Sequence, residues 1–147
     1  MANEATVTME ATVLPDEIAK VISGSMSVTP NADGTEKWVY KNTVIGTSHA
    51  NLISGNFINH TASASDTAVA ASDLVLFLFV KNTHASNSIA LSLDGSTTNA
   101  VTDVDGIQIP AGESVALRIA KTTVENLHAA ASSASTTAIV AALLDDA

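Results

Sequence analysis

Residues 74–80 read LVLFLFV, seven consecutive large apolar residues in a chain otherwise rich in Ala, Ser, Thr and Asn. A strand with one wet face alternates apolar with polar residues, and this run does not. In an extended chain Val75, Phe77 and Phe79 face one way, and Leu74, Leu76, Leu78 and Val80 the other. Burying each side chain contributes about 1.5–3 kcal/mol, so both faces need cover. Two arrangements supply it. In one, the run is the central strand of a closed sandwich, with a second sheet on one side and a loop or helix on the other. In the other, one face lies against another subunit. Asp73 and Lys81 flank the run and read as charged gatekeepers against aggregation. The run is far shorter than the roughly 20 apolar residues of a membrane-spanning helix.

Elsewhere, short strand-like pieces alternate with turn chemistry. Thr6 to Val13 is rich in β-branched residues, Pro15-Asp16-Glu17 breaks it, and Ile18 to Val28 follows as a second strand. Asp33-Gly34 supplies the positive φ that a hairpin turn needs, which predicts pairing of Ile18–Val28 with a strand over 36–45 carrying Trp38 and Tyr40 on one face. Ile89, Leu91 and Leu93 alternate with smaller residues, and Asp94-Gly95 closes that strand. Ile107 and Ile109, then Pro110-Ala111-Gly112-Glu113, then Val115, Leu117 and Ile119 read as strand, turn, strand. Residues 124–131 and 136–144 suit either strand or alanine-rich helix, with Thr136-Thr137-Ala138-Ile139-Val140 favouring strand. Strands at this spacing predict an all-β fold, an antiparallel β-sandwich of jelly-roll-like type with helix a minor component at most. The expected organisation is a single domain over residues 1–147, with residues 1–15 an extended arm or edge strand.

Function classes narrow by what the residues do not provide. Fifteen Asp and Glu against six Lys and Arg give a net charge of −9, and the cations Lys20, Lys37, Lys41, Lys81, Arg118 and Lys121 are scattered singly. Binding to nucleic acid, which needs clustered cations, is not expected. Without cysteine there is neither a disulfide nor a thiolate metal site. The N-terminus has no basic and apolar leader, so secretion is not expected. His49, His60, His84 and His128 are the candidate ligands or bases, but none stands at a spacing that puts two on one face of one element. Asp103-Val104-Asp105-Gly106 resembles part of a calcium loop but lacks its further ligands. Glycine-rich phosphate loops and a nucleophile elbow are missing. No catalytic, cofactor-binding or metal-binding residue is predicted, and an enzyme is not expected.

From the apolar run onward, LFLFVKNTHASNSIALSLDG, GIQIPAGESVALRI and VENLHAAASSASTTAIVAALL together resemble the small β-sandwich structural proteins of tailed-phage virions. In that group a strand ending in Lys-Asn precedes a Val-x-Leu-Ser-x-Asp-Gly strand, and Ile89 stands here in place of its first Val. An Ile-Pro-Ala-Gly-Glu turn and a Thr-rich final strand complete the pattern, which spans Leu76 to Leu144. The resemblance implies a capsid decoration (cement) protein or a neck- or tail-associated one. Its partners would be the major capsid protein or other virion proteins, in a homo-oligomer with a trimer favoured. It would be made in the host cytoplasm and located in the virion, with neither nucleic acid nor membrane as partner. The expected contact residues are Val7, Met9 and Val13 of the N-terminal segment, and Leu74, Leu76, Leu78 and Val80 on one face of the apolar run. The alternative is a carbohydrate- or receptor-binding module of a tail or fibre, with Trp38 and Tyr40 as its platform.

Overall fold

The structure is a computed structural model of the 147-residue chain, and it describes residues 5–13, 20–29, 37–53, 58–61, 69–95 and 106–145. The chain divides into two compact units, residues 1–32 and 33–147. In the first, β1 (Ala5–Val13) pairs antiparallel with β2 (Lys20–Val28) as a two-stranded hairpin, in register from Ala5 opposite Val28 to Val13 opposite Lys20.

The second unit is an antiparallel β-sandwich, as the strand spacing predicts. One sheet has the order β5 (Ile58–Thr61), β3 (Lys37–Ile45), β11 (Thr136–Asp145), β6 (Leu74–Asn82), β9 (Ser114–Thr123). The facing sheet has the order β4 (Ala50–Asn51), β10 (His128–Ala131), β7 (Ile89–Ser92), β8 (Ile107–Ile109). The only helix among the described residues is a single 3-10 turn, Val124–Asn126. Both ambiguous C-terminal segments are therefore strands. Alanine is at home in β11 for a steric reason. Ala142 lies between Val39 and Leu78, and Ala141 between Tyr40 and Phe79, so each small residue leaves room for larger neighbours on both sides.

The expected hairpin between Ile18–Val28 and the strand over 36–45 is not formed, and its Asp33-Gly34 turn lies outside the described residues. β2 pairs with β1, whereas β3 pairs with β11 and β5. The Pro110-Ala111-Gly112-Glu113 turn links β8 of one sheet to β9 of the other, with the Glu113 N–H donating to the Pro110 carbonyl and Gly112 at φ 77°. Turn chemistry fixes where the chain reverses, and here the reversal carries it across the sandwich rather than along one sheet.

The apolar run is β6, an interior strand between β11 and β9. Its faces divide differently from a regular strand. Leu76 has no register partner on either neighbour, and the register shifts there on both sides, which is a β-bulge. The extra residue turns Val75 round to join Leu78 and Val80 in the core, with Val39, Val140, Leu144, Ile89, Leu91, Ile109 and Leu127. Phe77 and Phe79 lie on the opposite face. Asp73 is fully buried, its Oδ2 accepting the Ala70 N–H at 2.9 Å, so it is a structural residue and not an exposed gatekeeper.

Where β6 ends, a polar clasp closes the sandwich. Asn82 is fully buried, and its Nδ2 donates to the carbonyls of Asn87 (2.7 Å), Ile109 (3.1 Å) and Pro110 (3.1 Å). Its Oδ1 accepts the His84 N–H at 3.0 Å. The His84 ring in turn holds the following loop, its Nδ1 accepting from the N–H groups of Ser86 (3.1 Å) and Asn87 (2.9 Å). One amide thus ties β6 to the strand end of the facing sheet.

Two stability predictions follow from this packing. Leu78→Ala should cost about 2–5 kcal/mol, and Leu78→Asp should abolish the cooperative thermal transition, because a charge there has no route to water. Asn82→Ala should cost at least about 2 kcal/mol by leaving buried carbonyls unmet, whereas Thr83→Ala, at an exposed neighbouring position, should cost far less. Denaturant titration of Leu78→Ala, Asn82→Ala and Thr83→Ala compares the three folded variants directly.

Candidate interaction surfaces

The face of the five-stranded sheet turned away from the core can be read row by row from the strand register. Trp38, Leu143, Phe77 and Arg118 form one row. The Trp38 and Phe77 rings meet edge to face at 6.3 Å, across the strand that carries Leu143, and Leu143 is fully buried. Tyr40, Ala141, Phe79 and Ala116 form the next row, and Asn42, Ile139, Lys81 and Ser114 the one beyond it. Val44 and Thr137 end the series. Cover falls away along it: Phe77 is buried, Phe79 and Ile139 are half-buried, and Tyr40 and Val44 are 57% and 67% exposed.

No carboxylate occurs in these rows, although the chain carries fifteen Asp and Glu. Their charged residues are Lys81 and Arg118, both exposed. Asp145 follows on the same outward side of β11, opposite Leu74, so the margin of this apolar, aromatic surface carries both signs of charge.

The hairpin is amphipathic by register. Val7, Met9 and Ala11 line up with Met26, Gly24 and Ile22 on one face, while Thr6, Thr8 and Glu10 line up with Ser27, Ser25 and Ser23 on the other. On the apolar face Met9 is 47% and Ile22 57% exposed. On the same face Val28 is buried and Val7 and Met26 are half-buried, so exposure is greatest towards Met9 and Ile22.

The residues expected to make contacts are thus divided. Val7 and Met9 sit on the apolar face of the hairpin, and Val13 ends β1 opposite Lys20. Leu78 and Val80 are fully buried in the chain's own core, and Leu74 and Leu76 are half-buried. Ile22 and Val44 escaped sequence reasoning; alternation along each strand marks them as apolar-face residues but carries no information on what lies over them.

Of the histidines, His84 shapes a loop, and His49 and His128 stand ring to ring at 6.5 Å. His128 is opposite Ser92 in the sheet, and the Ser92 hydroxyl donates to Asp94 Oδ1 at 2.6 Å. Among the described residues no three His, Asp or Glu side chains come together as a metal site requires. Asp103 and Asp105, the calcium-like pair, and the His60 side chain lie outside what is described. A cleft of about 40 Å³ beside β4 is lined by uncharged residues such as Thr43, Asn51 and Leu52, and falls far below the usual size of a small-molecule site.

No family model matches this chain, and no curated protein and no solved structure is found to match it.

Because Val44 and Ile22 are exposed, Val44→Ser and Ile22→Ser should each shift stability by no more than about 0.5 kcal/mol. A larger loss on thermal denaturation would show that these side chains are packed in the isolated chain.

Proposed function

We propose that this chain is a non-enzymatic structural protein of a tailed-phage particle, an outer-capsid decoration protein that binds the assembled shell as a homo-oligomer. The observation that carries the reading is the contrast between a sealed core and apolar residues left exposed on two ordered β surfaces, Met9 and Ile22 on the hairpin and Tyr40 and Val44 on the sheet. Contiguous exposed apolar surface on a stable domain marks a site of association. The likeness of residues 76–144 to virion β-sandwich proteins supplies the setting. Partners on this reading are the major capsid protein and further copies of the chain, in a particle assembled in the host cytoplasm. A protein that binds only the assembled shell stabilises it by mass action, and many weak contacts add up over the lattice.

One observation favours a second reading, a carbohydrate- or receptor-binding module of a tail or fibre. Tyr40 is largely exposed and Trp38 partly so, on the same face of β3, with the exposed amide of Asn42 beside them. Aromatic rings on a flat sheet with an adjacent amide suit the apolar face and hydroxyls of a sugar. The contact of the Trp38 ring with Phe77 weakens this platform.

Purified protein added to undecorated phage shells separates the two. Decoration predicts saturable co-sedimentation and a rise in the temperature at which shells rupture, both lost in Tyr40→Asp. Absence of shell binding together with quenching of Trp38 fluorescence by oligosaccharides would replace the first reading with the second.

A further inference from the structure

Two backbone N–H groups, those of Ser86 and Asn87, donate to one ring nitrogen, His84 Nδ1, at 3.1 and 2.9 Å. Both groups are donors, so Nδ1 must offer a lone pair and the ring proton must sit on Nε2. The loop thereby selects one tautomer of the neutral imidazole. An imidazolium carries a proton on Nδ1 as well, and that proton would meet two N–H groups and no acceptor. The same residue enters the clasp through its backbone, whose N–H donates to Asn82 Oδ1 at 3.0 Å.

The ring acts on its surroundings through Asn87, which is buried and engaged at every polar group. Its N–H donates to His84, and its carbonyl accepts from Asn82 Nδ2 at 2.7 Å. Its Oδ1 accepts the Ser133 hydroxyl at 2.9 Å, and its Nδ2 donates to the Ala134 carbonyl at 3.3 Å. One residue therefore joins the 83–88 loop to the clasp and to the 132–135 loop. Among the described residues, the charged side chains on the segments bonded to this loop are Lys81 and Glu113, both exposed. Residues 132–137, β7 and β8 carry none. Lys81 and Glu113 are opposite in sign, and water and salt screen both. His84 is the one member of the network whose side chain changes charge between about pH 5 and 8.

We propose that His84 is a proton-sensitive latch: the neutral ring holds the 83–88 loop against Asn82 and residues 132–135, and protonation releases it. The latched loop excludes the second ring proton, whereas the unfolded chain accepts it freely. The stability that the latch lends is therefore complete above the histidine range and lost as pH falls through it. Release is local, because the core residues behind the clasp, among them Leu78, Ile89 and Leu91, take no part in these bonds. Acid loosens one end of the sandwich and leaves its sheets in place. The latch belongs to the fold and not to a partner, so it holds with or without shell binding.

Nitrogen-15 NMR of the full chain reads the ring and the loop together. At about pH 8, above the histidine range, His84 should show the Nε2–H tautomer alone. On acidification to about pH 5, the Ser86 and Asn87 amides should lose protection against hydrogen exchange, corrected for intrinsic rates. The expected loss is at least about tenfold, the weight of one to two hydrogen bonds. The amides of Val80 and Leu91 should keep their protection. In His84→Asn a side-chain oxygen can accept from N–H groups two or three residues on, but it does not titrate. That variant should hold both loop amides and lose their acid response, whereas His84→Ala should lower their protection at every pH. The double variant His49→Asn, His128→Asn, at the far end of β10, should leave the response intact.

An Nδ1–H or mixed tautomer in the wild type overturns the inference. So does loop protection that survives protonation of the ring, or an acid response that persists in His84→Asn. A response that vanishes with the His49 and His128 substitutions overturns it too. If His84→Asn does not fold, the tautomer and the wild-type titration decide alone.

Discussion

Three backbone carbonyls, from Asn87, Ile109 and Pro110, converge on one buried amide, that of Asn82. Buried carbonyls without donors cost more than an average hydrogen bond contributes, so this convergence is a constraint and not an ornament. It fixes where β6 stops, holds the loop that leads to β7 and anchors the end of β8 from the facing sheet. The core of Leu78, Val80, Ile89, Leu91 and Ile109 lies behind it. Met by a strand of apolar residues alone, the end of the sandwich would open to water. The Lys-Asn pair that ends the apolar run in the sequence is thus a structural device: Lys81 turns out to solvent and Asn82 turns in.

Much of this architecture can be read in the sequence, and the failures have physical causes. Ile89 and Leu91 alternate with smaller residues and do point into the core. The Thr and β-branched residues of 136–140 do form a strand. Pairing partners were not legible, because a turn such as Pro110-Ala111-Gly112-Glu113 specifies a change of direction but not the sheet in which the chain continues. The faces of residues 74–80 were not legible either. Where every residue is apolar, an inserted Leu76 leaves no trace in the pattern, and only the register with β11 and β9 reveals it. Asp73 misled for a different reason: an acidic residue beside an apolar run looks exposed until a local N–H partner is found for it.

The candidate surfaces were half legible. Val7 and Met9 stand out in a strand that is otherwise Ala, Thr and Glu up to Val13, and Trp38 and Tyr40 stand out by rarity. Val44 reads in sequence like any core residue, and its exposure depends on how far a covering layer extends. The apolar and aromatic rows are a property of four strands taken together, drawn from residues 38–44, 77–81, 114–118 and 137–143. No window of sequence contains that pattern. What unites the surfaces is that strands carry them, so their backbones are already hydrogen-bonded to neighbours.

The order of strands also sets the order of events in synthesis. β11 is flanked by β3 and β6 at the middle of its sheet, yet it follows both in the chain, and β3 lies nearly the whole unit away in sequence. Until residues 136–145 emerge, β3 has no inner neighbour, and the seven apolar residues of β6 lack half of their backbone partners. Such a sheet cannot build up strand by strand behind the ribosome; it waits, with its most aggregation-prone segment already made, for its central strand to arrive. In a cell producing many copies at once, the time between β6 and β11 is the interval in which a chaperone earns its place.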